Sequence, residues 1–516
     1  MAFKYQAANM ESVLILGAAS LNGKEHPFNE RHSAGDITIA AMQAQTAQDA
    51  AMHIKPARVV PHKTVFASLL VQVKPLDFRK VVGLDSETEK LKQKHFLVTV
   101  IEEVRALAAR NHWGLCRNDG FLYAFNGAYW HEVQTDDLKA FLQLAAERMG
   151  VDKYDARHAD FAEQLSKQFY SAAYLPAPER SLEEVRVNLV NGTFYVGADI
   201  QELRPFNSAD FLRHQLPFAY DPEAVAPRFQ RFLERVLPDV DCQLILAEYL
   251  GYLFVPTARL KLEKTLLLYG SGANGKSVVY EIVMALLGTE NVSSYSLQSL
   301  TVEPALARVN LGNKLLNYAS ELSGKSDPNV LKQLISGEPV EARFLYRQPF
   351  MLTNYAKLAF NCNTLPAEVE HTNAYFRRLL IVPFLATIPE SEQDPKLAAN
   401  IIATELPGIF NWVLTGLNRL LAQGRFTESK AVGQQVDEYR RRSDSVRSFL
   451  DDNGYEASST HTIPRKMLYP EYRAYCMDEG NRPVNSHNFG KRLESYGIYG
   501  ARHGGGNVHG LVKRDL

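Results

Sequence analysis

The sequence predicts an α/β protein: a core of short apolar strands alternating with helices, a mixed and largely helical region before it, and a small separate unit after it. Three observations carry this. Between about residues 262 and 390, the runs TLLLY, NKLLNYA, KLAFNC and LLIVPF are strand-like and separated by helical stretches. Upstream, HFLVTVIEEVRALAARNH repeats apolar residues at helical spacing. Downstream of residue 425, a polar, charged stretch isolates the last 70 or so residues from the core. At 516 residues the chain is long enough for several domains, and we expect boundaries at 1–95, 96–255, 256–425 and 426–516.

In chain order, residues 1–95 combine an Ala/Gln-rich, helical-looking stretch at 40–52 with a β-type run, KTVFASLLVQV, and carry no chemistry we can assign. GFLYAFNGAYWHEV predicts a hairpin turning at Asn126-Gly127, and VRVNLVNGTFYVG a second around Asn191-Gly192. A helical stretch fills the space up to about 172. YDPEAVAPRFQRFLERVLPD then leads through Pro-bounded turns into helices reaching about 255. The core closes with LAANIIATELPGIFNWVLTGLNRLLAQG, a helix ending at Gly424, and VDEYRRRSDSVR reads as a linker helix. The terminal unit shows two amphipathic helices and a Gly-rich turn at 504–506.

Composition sets limits. With 46% hydrophobic and 22% charged residues the chain is an ordinary globular protein, and its formal charge of −1 does not argue against a local basic surface. Cys116, Cys242, Cys362 and Cys476 lie too far apart for zinc-ligand or redox motifs, which points to buried thiols in a reducing compartment. The apolar run VLILGAA follows Glu11 rather than a basic leader, and residues 244–255 are too short for a membrane span and interrupted by Glu248. We expect a soluble, cytoplasmic protein with no membrane partner.

Chemistry enters at GSGANGKS, residues 270–277, which fits G-x-x-x-x-G-K-[ST] between the strand TLLLY and the helix SVVYEIVMALLG. Glycines let the backbone turn so that successive N–H groups converge on phosphate oxygens near a helix N-terminus. Gly270, Gly272, Ala273, Asn274, Gly275, Lys276, Ser277 and Val278 are therefore the expected nucleotide contacts. ATP is the expected nucleotide, Lys276 the residue reaching its outer phosphates and Ser277 a ligand for Mg²⁺. Downstream, NKLLNYASEL carries Glu321 at its end, KLAFNCN ends in Asn363, and YFRRLLIVPF places Arg377 and Arg378 before a strand. An acid can serve the metal or the attacking water, an amide can orient that water, and an arginine can stabilise transition-state charge.

This order, all within about 110 residues, resembles the superfamily III helicases, and specifically the phage and plasmid primase-helicase branch related to the poxvirus-type primase-helicases. LLKQLISGEPVEARFLYRQPF, KLAFNCNTLP and YFRRLLIVPF carry the likeness, with NGTFYV, QLPFAYDP, FLERVLPD and EYLGYLF upstream, so that it spans about residues 110–516. The resemblance implies an AAA+-like P-loop ATPase core in which Lys276 and Ser277 are the Walker A pair. Glu321 is then the Walker B acid and shares the metal with Ser277, Asn363 is the sensor, and Arg378 the arginine finger, with Arg377 as second choice. Ser320 stands where many such ATPases have a second acid, which leaves open whether Glu321 serves the metal or the water.

The resemblance also implies a DNA-tracking hairpin, VEARFLYRQPFML, with Arg343, Tyr346 and Arg347 near its tip and Lys332 on the preceding helix. The tail, PRKMLYPEYRAYCMDEG and NSHNFGKRLESYGIYGARHGGGNVHGLV, resembles a winged-helix domain. Residues 439–516 hold 13 Lys/Arg and 9 Asp/Glu, a balance of +4, with Arg482, His487, Lys491 and Arg492 on or near its recognition helix. A homo-hexameric helicase acting on single-stranded and forked DNA follows, running 3′ to 5′ in the replication of a phage, plasmid or integrated element, beside a separate primase or other replication proteins. Only about 95 residues precede the matched region, so we expect no primer synthesis by this chain. The alternative is a non-unwinding ATPase that serves as a DNA-binding initiator or defence scaffold.

Overall fold

Packing on one face decides the first described element against its strand-like composition. The computed structural model describes residues 59–514, apart from residues 87, 119, 176–181, 321, 323–325, 367–368, 481 and 504–505. The stretch at 40–52 lies outside the described residues. The run KTVFASLLVQV, expected to be extended, is helical: α1 spans His62–Gln72 (helices of eight residues or more are numbered). Val65 and Leu69, four residues apart, are buried on one side, and Phe66 stacks on Phe141 at 4.7 Å. A β-rich composition loses here to an i, i+4 pair with a core to enter.

α2, Gln93–Arg110, buries Val100, Ile101, Val104 and Leu107. It leads into an antiparallel sheet of β1 (Gly114–Asn118), β2 (Phe121–Phe125) and β3 (Trp130–Glu132). The hairpin at Asn126-Gly127 forms as expected, its turn held by the Asn126 Oδ1 atom accepting from the Ala128 and Tyr129 amides at 3.0 Å each. α3 (Thr135–Met149) and α4 (Ala159–Ala172) complete a core in which Val60, Val65, Leu69 and Phe78 pack with Val104, Leu142 and Phe169. A boundary at residue 95 would cut through this core, so the unit begins by residue 60. The second sheet holds β4 (Val185–Leu189), β5 (Gly192–Val196) and β6 (Gln201–Arg204). Leu189 pairs with Gly192, so the turn residues are Val190 and Asn191, one position earlier than expected.

Two helices, α5 (Pro227–Val236) and α6 (Val240–Tyr252), precede the main sheet. Its chain order is β7 (Thr265–Tyr269), α7 (Lys276–Leu287), β8 (Val292–Ser293), β9 (Leu316–Ala319), α8 (Pro328–Ser336), the hairpin β10 (Val340–Ala342) and β11 (Phe350–Leu352), β12 (Lys357–Cys362), β13 (Leu379–Pro383) and α9 (Leu397–Gln423). The sheet is parallel, in the order β13-β7-β12-β9-β8, and its strands are buried on both faces, which accounts for their unbroken apolar runs. By length and composition α9 is apolar enough to cross a membrane, but Ile401, Phe410, Val413, Leu417 and Leu420 are buried in the core of this sheet. α9 and α6 approach closely at glycines: a β-carbon on Gly251 would sit 2.7 Å from the Leu417 Cβ. Glu248, which interrupts the apolar run of α6, is fully buried and satisfied by Arg419 of α9 (2.6 Å) and by the Thr427 amide (2.8 Å).

α10 (Lys430–Arg442) lays Tyr439 against Phe376, ring edge to face at 5.7 Å. The terminal unit then runs α11 (Ser445–Asp452), β14 (Tyr455–Ala457), β15 (Ile463–Pro464), α12 (Arg465–Asp478), α13 (Ser486–Ser495), β16 (Gly500–His503), β17 (Gly506–His509) and β18 (Leu511–Lys513). It has its own core of Phe449, Leu468, Tyr472, Phe489 and Leu493, and α12 and α13 are the two expected amphipathic helices. The four cysteines are buried free thiols.

Candidate nucleotide site and nucleic-acid contacts

Parallel pairing decides which side chains can meet. β7 leads directly into residues 270–275, and α7 opens at Lys276. Gly272 and Gly275 have φ of +118° and +85°, values that L side chains rarely adopt, and Ala273 shares this region at +47°. A β-carbon on Gly270 would collide with the Phe384 carbonyl. The loop is braced from both sides: Asn274 Nδ2 donates to Phe384 O (3.0 Å), the Gly270 amide to Cys362 O (3.0 Å), and the Ile388 amide to Ala273 O (2.8 Å). Lys276 is buried and folded back, its ammonium donating to Gly270 O (2.6 Å) and Asn274 Oδ1 (3.0 Å). Burial lowers its pKa from the usual lysine value. Ser277 is exposed and Val278 half-buried on the first turn of α7.

Cys362 pairs with Tyr269 across β12 and β7, so exposed Asn363 lies just past the strand end beside the loop's base. Two residues earlier on β12, Asn361 is buried and accepts from the Tyr318 hydroxyl at 2.9 Å. Glu321, the expected metal-side acid, lies outside the described residues.

The arginine pair stands at the other end of the sheet. Leu379 is in register with Thr265 and Pro383 with Tyr269, and the Thr265 amide donates to Arg378 O (2.9 Å). Five residues at roughly 3.3 Å each separate this end from the glycine-rich loop at 270–275, about 17 Å. Arg378, the first choice for the finger, is buried: it donates to Ser336 Oγ (2.9 Å) and Ala374 O (2.6 Å) and pairs with Glu263 at 3.0 Å. Arg377 has a side chain 57% exposed and pairs with the same carboxylate at 3.1 Å. Arg378 is thus a strut within its own chain, and Arg377 is the member facing outward.

Glu263, missed in the sequence, holds the pair together from a left-handed backbone conformation (φ +52°). Burial pushes its carboxyl up, but Arg378, Lys261 and Arg377 outweigh this and hold it below the usual carboxylate range. Beside it, burial and then Arg377 lower the pKa of Lys264, whose ammonium donates to Arg377 O at 2.5 Å. An acid preceding a strand gives no signal by itself; only its two arginine partners mark it.

The expected hairpin forms, with Val340 opposite Leu352 and residues 343–349 at its end. Tyr346 is 93% exposed at φ +62°, and Arg347 is exposed over the Phe344 ring at 5.5 Å. Arg343 Nε donates to Arg347 O at 3.0 Å, which shapes the tip. At the base, Phe344 and Phe350 stack at 5.5 Å and both meet the edge of Phe121 from β2. Two of the expected DNA contacts are engaged elsewhere. Lys332 pairs with Glu370 at 2.7 Å, and Arg492 pairs at 3.0 Å with buried Asp444, which also accepts from the Tyr496 hydroxyl. Lys491, Arg482 and His487 are exposed.

Three families and several known proteins are similar to parts of this chain. Residues 103–238 match a family described as D5 N terminal like, residues 268–378 a family of unknown function (DUF5906), and residues 441–497 a poxvirus D5 protein-like family. A protein of Acanthamoeba polyphaga mimivirus described as "Putative helicase L207/L206" is 25% identical over 328 residues, which is 57% of this chain and 33% of that protein. The chain therefore spans about a third of that relative's length. Two solved apo structures of the NrS-1 C-terminal region are similar at 13% and 14% identity, with TM-scores of 0.44 and 0.42. They cover 83% and 82% of this chain, and each is matched over 100% of its own length. With D5-type segments on both sides of the main sheet and a viral protein described as a putative helicase as a relative, the chain resembles the phage and viral primase-helicases.

Proposed function

We propose that the chain is an ATP-driven, ring-forming DNA helicase of the superfamily III type, translocating 3′ to 5′ on single-stranded DNA. One observation carries this furthest. The phosphate loop and Arg377 lie at opposite ends of the same two parallel strands, so Arg377 can serve a nucleotide only on a neighbouring protomer. A homo-hexameric ring, with each site shared between neighbours, accounts for that separation.

In this reading the amides of residues 270–277 receive the phosphates of ATP at the positive end of α7. Lys276 turns from Gly270 O and Asn274 toward the outer phosphates, exchanging two neutral acceptors for a charged one. Asn363 orients the attacking water. Ser277 and Glu321 would hold Mg²⁺, which supplies charge neutralisation when bound. The five parallel strands behind the loop suit an AAA+-like core. The order helix, two short strands, two helices and hairpin in residues 445–509 suits a winged-helix-like unit, with Lys491 on the outer side of its candidate recognition helix. Single-stranded or forked DNA would meet Arg343, Tyr346 and Arg347, where guanidinium groups match phosphates and an exposed ring can stack on a base.

A forked-duplex displacement assay tests this. Wild type with ATP and Mg²⁺ is expected to release the strand, and Lys276→Ala is expected to release none. Hydrolysis of ATP by wild type without displacement would refute the motor and leave a nucleotide-controlled initiator or scaffold.

A further inference from the structure

A cavity lies away from the loop at residues 270–275. A cleft of ≈ 150 Å³ opens at the N-terminal end of the main sheet, between β4 and the starts of β9 and β12. Leu315 and Lys357, just before β9 and at the start of β12, line it. Both feet of the hairpin reach its rim: Gly337 before β10, and Thr353 and Asn354 after β11. At about 30 Å³ per water it has room for some five waters, which suits a phosphate group with its ester arms. A whole nucleotide needs a pocket of roughly 300 Å³ or more.

The lining is unevenly charged. Arg186, Arg213, Lys314 and Lys357 face two acids, Glu184 and Asp210, and both acids pair with Arg186, at 3.3 and 2.9 Å. Among the described residues, Arg213, Lys314 and Lys357 have no carboxylate within ion-pairing distance. Their donors rest on neutral acceptors instead: Arg213 on Asn313 Oδ1 (2.9 Å), Lys314 on Glu290 O, and Lys357 on Val255 O (2.9 Å) with the Tyr252 ring below it (4.3 Å). Burial holds the Lys357 ammonium down at about 7. Glu132, which accepts from Asn313 Nδ2 at 2.8 Å, is the nearest acid to act on Arg213 and Lys314, and Lys357 has none. Removing a cation from water without a counter-charge is costly, and an apolar residue would pack against Tyr252 at less cost. One uncompensated cation beside two partly compensated ones around one cavity marks a place prepared for an anion.

We propose that this cleft is a second phosphate-binding site, separate from the phosphate loop, in which Arg213, Lys314 and Lys357 hold a phosphate group at the junction between the preceding domain and the main sheet. The phosphate has two possible sources. A single strand passing the hairpin would lay a backbone phosphodiester there, and this source rests on reading the hairpin as a DNA contact. A free polyphosphate anion would not depend on that reading.

The test uses the full chain carrying Lys276→Ala, so that the phosphate loop does not compete. Calorimetry with inorganic pyrophosphate and fluorescence anisotropy with a labelled oligo-dT are run on this protein and on derivatives with Lys357→Met or Lys314→Met. Thermal unfolding checks that each is folded, and Lys314→Met, a partly exposed position, decides the matter if Lys357→Met fails to fold. Each substitution is expected to weaken binding at least tenfold for one probe or both and to flatten its salt dependence. Loss for oligo-dT alone identifies the strand as the source; loss for pyrophosphate alone identifies a free anion. If oligo-dT binds to none of the proteins while pyrophosphate binding depends on Lys314 and Lys357, the hairpin reading fails and the cleft stands. Unchanged affinity for both probes, or binding of neither, overturns the proposal.

Discussion

Where β7 ends, the chain surrounds Lys276 with its own backbone; where β7 begins, it gathers charged side chains from distant positions. At the first end the partners of the site are Gly270 O, Asn274, Phe384 O and Cys362 O, nearly all main-chain atoms set by strand pairing. At the second, Glu263 collects Lys261, Arg377 and Arg378, the arginines from 114 and 115 positions along the chain. A main-chain cradle tolerates little rearrangement and suits an invariant ligand such as a phosphate. A side-chain cluster can exchange partners at small cost, which suits a surface that meets another protomer.

The largest expected effects break this second end apart. Arg377→Ala should leave stability within about 0.5 kcal/mol, because its ion pair is exposed. It should lower ATP turnover by about 10³-fold if the residue acts on a neighbour's nucleotide. Arg378→Ala should instead destabilise the fold by about 3 kcal/mol, since Glu263 and Ser336 lose a buried partner. Denaturant unfolding beside steady-state hydrolysis separates the two. Mixing Arg377→Ala with Lys276→Ala protomers should restore part of the activity, because each supplies what the other lacks. No recovery on mixing, with both variants folded and assembled, would remove the shared site.

The hairpin should respond less and differently. Arg347→Ala is expected to abolish the stimulation of hydrolysis by single-stranded DNA, and unwinding with it, measured against the DNA-independent rate of the same preparation. Arg492→Ala, by contrast, should act through stability, because its guanidinium is held by buried Asp444. If Arg492→Ala weakened DNA binding at unchanged stability and Arg347→Ala did not, the two regions would have to exchange roles.

What could be read in the sequence follows the same division. The strand–loop–helix around residues 265–287, the hairpins at Asn126 and Asn191 and the hairpin at 340–352 are local patterns whose geometry is set within short stretches of chain, and each forms. The availability of a charge is not local. Arg378, Lys332 and Arg492 look like free cations along the chain, yet Glu263, Glu370 and Asp444 engage them through tertiary packing. The helix at His62–Gln72 looks like a strand along the chain for a related reason: its β-branched and aromatic residues suit a strand until a core accepts Val65 and Leu69 on one face. Glu248 was legible only as an interruption, since nothing near it announces Arg419.

The smallest effect sharpens the comparison most directly, because each end of the sheet holds a lysine whose pKa burial lowers. Lys276 has two oxygen acceptors from its own loop, whereas Lys357 has one carbonyl and the Tyr252 ring. A pKa of about 7 in the fold against the ordinary 10.5 means that the unfolded chain binds more protons between those values. Below pH 7 Lys357 is charged in both states and its burial cost is felt in full. As pH rises toward 10 the folded form sheds the proton and the cost fades, so stability from this group increases with pH. Lys357→Met should therefore be more stable than wild type at pH 7, with the gap closing by pH 10, as followed by urea unfolding across that range. A gap that stayed constant with pH would mean that Lys357 keeps its proton in the fold, paired with a charge that its carbonyl and ring partners do not supply.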